Sequence, residues 1–196
     1  MSHTSKTLRE AFHYLYPNEL PALKQLAKQL PKDPSVVNIG AGAGTSGLAF
    51  LESRKDLYLV TVDIQKEDSP FGCLTAEEKV IKEAGLWKDG RSEQVHGDSK
   101  VVGRDWSKSS YPQVDMVFID GDHSYEGCKG DILAWLPNIK SGGFLAVHDY
   151  KKNQVLPNQN GPHPKAWPGV DQAVDELLMG KFEMILRVDS LVVFKR

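Results

Sequence analysis

Residues 36–47 read Val-Val-Asn-Ile-Gly-Ala-Gly-Ala-Gly-Thr-Ser-Gly. Val36–Ile39 is a short apolar run halted by glycine, the pattern of a strand buried on both faces. The glycines that follow permit positive φ and let the backbone approach a ligand closely. Gly47–Arg54 then reads as a helix. A strand, a glycine turn and a helix in this order open a parallel α/β unit.

Downstream the rhythm repeats. Leu57–Val62 is a second strand, stopped by Asp63. Thr75-Ala-Glu-Glu78 has the form of a capping box and predicts a helix running to about Ala84. Gln94–His96 begins a third strand that ends at Gly97-Asp98, and a helix covers part of Lys100–Lys108. Asp115–Ile119 is the fourth strand and Gly143–Val147 the fifth. Between them Tyr125–Leu136 is a helix with Tyr125, Cys128, Ile132 and Trp135 on one face. Val170–Met179 is a helix stopped by Gly180, and Phe182–Val188 and Leu191–Lys195 form a hairpin across Asp189-Ser190. Upstream, Lys6–Leu15 and Asn18–Leu30 carry apolar residues at helical spacing. The expected fold class is α/β: a Rossmann-like, doubly wound, mostly parallel seven-stranded sheet with an antiparallel C-terminal hairpin and helices on both faces. Residues 1–196 are expected to form one domain, with 1–34 a helical extension and 35–196 the core. Residues 151–169 contain four prolines and no periodicity, and are expected to form a loop covering the substrate.

Composition narrows the function. Hydrophobic residues make up 40% and charged residues 26% of the chain, with a formal net charge of −2. A wide basic surface is absent, so no nucleic-acid partner is expected. No apolar stretch approaches the ~20 residues of a membrane span, and the polar N-terminus has no secretory apolar region. Cys73 and Cys128 are the only cysteines and read as reduced thiols of a cytoplasmic protein. The expected partner is a small molecule. A homo-oligomer is compatible with the composition.

Ligands of such sheets bind beyond the carboxyl ends of the strands, where strand order reverses. Gly40, Gly42 and Gly44 lie past the first strand, and Asp63 ends the second with a carboxylate suited to both hydroxyls of a ribose. Two ligand classes compete. Gly42-x-Gly44-x-x-Gly47 with Asp63 matches the dinucleotide fingerprint and would serve an NAD(P)-dependent oxidoreductase. Gly40-x-Gly42-x-Gly44 directly after the strand suits a nucleotide-like ligand without a pyrophosphate.

Val37-Asn-Ile-Gly-Ala-Gly-Ala-Gly44, Asp63, Gly97-Asp98-Ser99 and Val117-Phe-Ile-Asp120, in that order, resemble the motif set of class I S-adenosylmethionine-dependent methyltransferases over residues 35–196. Phe118-Ile-Asp-Gly-Asp-His-Ser-Tyr125, Ala146-Val-His-Asp-Tyr150 and Gly169-Val-Asp-Gln-Ala-Val174 more narrowly resemble the metal-dependent small-molecule O-methyltransferases of the macrolide-sugar and catechol types, and the cephalosporin-hydroxylase-like proteins. The resemblance implies S-adenosyl-L-methionine as cofactor. Gly40, Gly42 and Gly44 would line its methionine and ribose, Asp63 would take the ribose hydroxyls, and Asp98 and Ser99 would face the adenine. Asn38 stands where the family usually has an acid that helps hold the methionine amino end, and an amide brings no negative charge there. The resemblance also implies a divalent metal, Mg²⁺ or Mn²⁺, on Asp120 and the pair His148-Asp149. His148 replaces a usual acid and is either a ligand or a histidine packed behind the site. Asp120 would serve cofactor, metal and catalysis together. His123 lies three residues past Asp120, at the offset of the catechol-type lysine base, and an imidazole suits proton removal at neutral pH. Its alternative is packing under the Ser124 helix start. The expected reaction is methyl transfer to an oxygen of a small hydroxylated acceptor. The alternatives are an NAD(P)-dependent oxidoreductase and a non-catalytic S-adenosylmethionine-binding protein.

Overall fold

The computed structural model describes residues 15–67, 72–87, 90–109, 111–151 and 167–196. Along the chain these form α1 (Glu19–Gln29), β1 (Ser35–Ile39), α2 (Thr45–Ser53), β2 (Tyr58–Asp63), α3 (Leu74–Glu83), β3 (Ser92–His96), α4 (Ser99–Trp106), β4 (Val114–Ile119), α5 (Tyr125–Trp135), a 3₁₀ turn (Leu136–Asn138), β5 (Ile139–Val147), α6 (Pro168–Leu177), β6 (Glu183–Val188) and β7 (Leu191–Lys195). The expected helix at Lys6–Leu15, apart from its last residue, and residues 152–166 of the expected substrate loop lie outside the described residues.

The seven strands form one sheet in the order β3-β2-β1-β4-β5-β7-β6. β1 to β5 pair in parallel, and β7 runs antiparallel to both β5 and β6. Alternation along the strands divides the core in two. Val37, Ile39, Val60, Val62, Val117 and Ile119 face one cluster, which holds Trp106, Ile132, Trp135 and Val174 from α4, α5 and α6. Val36, Leu59, Met116 and Phe118 face the other, with Leu23, Leu26, Phe50 and Ile81 from α1, α2 and α3. Among the described residues no helix is long and apolar enough to cross a membrane.

Two local expectations are corrected. The capping box does not form: α3 begins at Leu74 behind Cys73, which makes no side-chain cap. Thr75 Oγ1 instead donates to the Lys66 carbonyl at 2.9 Å, so the approach of the preceding loop outweighs the local motif. β5 is longer than the apolar run, because a register shift between Val114 and Met116 absorbs the Ser141-Gly-Gly143 segment.

The strand ends are drawn together by the ladders themselves. The Gly40 amide donates to the Val62 carbonyl at 3.0 Å, Asp120 to Ile39 at 2.9 Å and His148 to Ile119 at 3.0 Å. At the β1/β4 reversal, Gly40 has φ +93°, and a Cβ there would overlap the Asp120 carbonyl oxygen. Gly85 has φ +77° with open space around it. Left-handed backbone costs an L-residue about 1–2 kcal/mol. Gly85→Ala should show only that loss in urea denaturation. Gly40→Ala should lose substantially more, because the backbone of β4 must also shift. Equal losses would show that the close approach at Gly40 has no energetic weight.

Candidate active site at the carboxyl edge of the sheet

The glycine turn after β1 is clamped from two sides. Asp63 Oδ2 accepts from the Ala41 amide at 2.7 Å, while Oδ1 accepts from the Gln65 amide at 2.7 Å. Each oxygen keeps a further lone pair. From the other side Cys73 N donates to the Gly42 carbonyl at 3.0 Å. A Cβ at Gly42 would meet nothing within 4 Å, so this part of the turn presents bare backbone. Thr45 Oγ1, at the start of α2, is buried without a hydrogen-bond partner among the described residues.

Asn38 is buried one layer below. Its Nδ2 donates to the Gly40 carbonyl at 3.2 Å and its Oδ1 accepts from Ser46 Oγ at 3.2 Å. Asp98 is the N-cap of α4, accepting from the Lys100 amide at 2.9 Å. Ser99 Oγ donates to Asp131, whose carboxyl burial pushes up to about 6.

The ends of β4 and β5 bring acids and imidazoles together. His148 is buried, with Nδ1 3.0 Å from Asp120 Oδ1 and Nε2 2.9 Å from Glu19 Oε2. A carboxylate faces each ring nitrogen, an arrangement that favours the doubly protonated, cationic ring. Burial opposes that charge, but the neighbouring Asp120 and Asp149 hold its pKa well above the ordinary value. With both nitrogens committed, His148 sits behind Asp120 and offers no metal ligand. Glu19 is fixed in turn by Ser190, whose amide and Oγ each donate to Oε1 at 2.7 Å.

His123 stands on the crevice side. Its Nε2 lies 3.1 Å from Asp149 Oδ2 and 3.4 Å from Asp120 Oδ1, yet it is buried without an aligned hydrogen bond to either. Its ring stacks on Trp167 at 4.6 Å and 19°. Behind it Gly169 abuts the backbone of residues 123–125, where a Cβ would collide. Burial disfavours the His123 cation, but Asp120 and Asp149 outweigh it and push the pKa up to about 9. Burial would raise Asp120, but His148 and His123 hold it well below the usual carboxylate range. Asp149 adopts φ +63°, a left-handed conformation that aspartate tolerates better than most residues. Asp120, His123 and Asp149 offer ligand atoms within 4.8 Å of one another. The two carboxylates suit Mg²⁺ or Mn²⁺, and His123 Nε2 adds a third donor only in its neutral form.

The structure thus brings together Gly40, Asp120, His123 and Asp149, and ties Asp63 to the same glycine turn. Asp98 and Ser99 lie at the β3 end and are engaged with α4 and α5. Glu19, Glu77 and Ser190 were not among the residues expected from the sequence, whereas Trp167 falls in the expected loop 151–169. A signal existed for the two glutamates, since Glu19 and Glu77 stand in the apolar stripes of α1 and α3 beside Leu23 and Ile81.

A family profile described as a methyltransferase domain matches residues 37–150. A provisionally named O-methyltransferase of Mycobacterium sp. (strain KMS) is 30% identical over 128 residues, which are 65% of this chain and 53% of the relative. The chain therefore spans about half the length of that relative. Among solved structures, the O-methyltransferase TomG of Streptomyces achromogenes, in complex with SAM, superposes with a TM-score of 0.72 at 18% identity, covering 97% of this chain and 86% of its own. An O-methyltransferase of Bacillus cereus in complex with SAH gives 0.70 at 14% identity, covering 100% and 92%. At those identities the structural likeness is one of fold, but the profile covers more than half of the sequence, from the glycine turn through His148-Asp149. The chain belongs to this family of methyltransferase domains.

Proposed function

We propose that the chain transfers the methyl group of S-adenosylmethionine to an oxygen of a small hydroxylated acceptor, with the help of a divalent metal. The observation that carries this reading is the cluster of Asp120, His123 and Asp149 beside the glycine turn, at one edge of one sheet. The SAM and SAH complexes of the two solved neighbours support the cofactor assignment.

Bound S-adenosylmethionine supplies a methyl group already activated by positive sulfur, so the chain's task is alignment, proton removal and exclusion of water. Gly40, Gly42 and Gly44 present backbone to the methionine and ribose. Asp63 has lone pairs for the ribose hydroxyls, and Asp98 and Ser99 stand at the strand end where the adenine would lie. Asp120 and Asp149 would hold the metal, which supplies the Lewis acidity that lowers the pKa of an acceptor hydroxyl. As the site stands, Asp120 and Asp149 favour His123 as an imidazolium at neutral pH, with no lone pair to offer at Nε2. Once their charge is committed elsewhere, its pKa returns toward the ordinary ~6.5 and Nε2 accepts the acceptor's proton. Trp167, stacked on the ring, holds it in place.

Calorimetry should register S-adenosylhomocysteine binding, weakened about tenfold or more by Asp63→Ala through loss of charged hydrogen bonds. Binding of NAD with no response to S-adenosylhomocysteine would overturn the reading. Titration with Mn²⁺, followed by electron paramagnetic resonance, should show a bound ion that Asp149→Asn loses. With a competent acceptor, chelation should abolish turnover and His123→Ala should lower kcat by about 10²–10⁴-fold while leaving S-adenosylhomocysteine affinity unchanged. Turnover that survives exhaustive chelation would remove the metal from the mechanism.

A further inference from the structure

Glu77 is a fully buried acid on the apolar face of α3, between Leu74 and Ile81. Its Oε1 accepts from Thr61 Oγ1 at 3.0 Å and from Asn38 Nδ2 at 3.4 Å, and its Oε2 accepts from Gln94 Nε2 at 3.0 Å. Asn38, Thr61 and Gln94 are register partners across β1, β2 and β3, so they form one polar row beneath a single carboxylate. From α2 the facing residue is Gly47, where a Cβ would overlap Glu77 Oε1, and Gly44 leaves room for the Glu77 backbone. The last glycine of the dinucleotide-like pattern, Gly47, thereby makes room for a carboxylate and not for a pyrophosphate. No cation pairs with Glu77 among the described residues, and the charged group that bears on it is Asp63, another acid. Burial without a counter-charge pushes the Glu77 carboxyl up to about 7. Asn38 Nδ2, which touches Glu77, also donates to the Gly40 carbonyl at 3.2 Å.

We propose that Glu77 is a positioning residue for the cofactor: acting through Asn38, it sets a buried negative charge behind the glycine turn and favours a ligand that carries positive charge there. The acid that Asn38 lacks is supplied by the helix instead of the strand. This rests on the S-adenosylmethionine reading of the site. A cationic ligand on the turn stabilises ionised Glu77, so binding at pH values below the Glu77 pKa releases its proton. Affinity therefore rises as pH rises through neutrality. The sulfonium form gains more than S-adenosylhomocysteine, which has the ammonium alone.

The test is calorimetry of S-adenosylmethionine and S-adenosylhomocysteine at about pH 6 and pH 7.5, just below the ordinary titration of the ligand's amino group. Wild type should bind S-adenosylmethionine about fivefold or more tightly at the higher pH, the lower end of typical coupling between sites. Glu77→Gln keeps the size of the side chain and should flatten that profile and reduce the preference for the sulfonium ligand. The double variant Asn38→Asp with Glu77→Gln moves the acid to the strand and should recover affinity at pH 7.5. Thermal melts of the ligand-free protein add a readout independent of binding. The native acid holds its proton more tightly than the unfolded chain, so wild type should lose stability relative to Glu77→Gln as pH rises from about 5 to 8. A flat wild-type affinity profile, or a slope that persists unchanged in Glu77→Gln, would overturn the proposal even if the variant folds poorly. Failure of wild type to bind either ligand at any pH would instead overturn the cofactor reading, and the role of Glu77 with it.

Discussion

Gly40 packs tightly against the Asp120 carbonyl, so that a Cβ there would overlap its oxygen, at the point where strand order reverses between β1 and β4. No side chain fits there. The absence of a Cβ lets the first glycine turn and the end of β4 share one crevice. The ladder then continues one residue past each strand, from Asp120 to Ile39 and from His148 to Ile119. Asp120, His148 and Asp149 are thus placed by backbone hydrogen bonds, and the chemistry inherits the rigidity of the sheet.

Around that frame, charge is arranged in layers. Asp120 faces two imidazoles, one buried and one toward the crevice. The buried one, His148, is held between Asp120 and Glu19, and Glu19 is held by Ser190 of the C-terminal hairpin turn. α1 and the β6–β7 turn therefore bear directly on a carboxylate of the candidate site. Three carboxylates, Glu19, Asp120 and Asp149, thus surround the two histidines, and His123, whose proton Asp120 and Asp149 favour, is the group whose state responds most directly to a change of charge in the crevice.

The succession of strands along the chain and the functional strand ends were legible because they depend on local pattern. Val36–Ile39 followed by glycines, Asp63 after an apolar run, and Asp120 after Asp115–Ile119 each announce a strand and its end. The hairpin at Asp189-Ser190 was legible for the same reason. What sequence hid was tertiary. Thr75 and Glu78 have the spacing of a capping box, yet Thr75 turns to the Lys66 carbonyl. His148 carries the same chemistry whether it is a ligand or a buried cation, and only the position of Glu19, far away in sequence, separates the two. Glu77 reads as one of two adjacent surface glutamates until its place in the α3 stripe is noticed. A charged residue at a stripe position is the readable clue in both helices.

The central claim is that the β1/β4 crevice seats S-adenosylmethionine with its charged end on the glycine turn. The most direct measurement is a crystal structure of the protein with S-adenosylhomocysteine. The homocysteine end should lie against the backbone of Gly40 and Gly42, and the ribose hydroxyls on Asp63. Asp120, His123 and Asp149 should lie around the position of the sulfur. A ligand bound elsewhere, or bound in the crevice with its ribose away from Asp63, would contradict it.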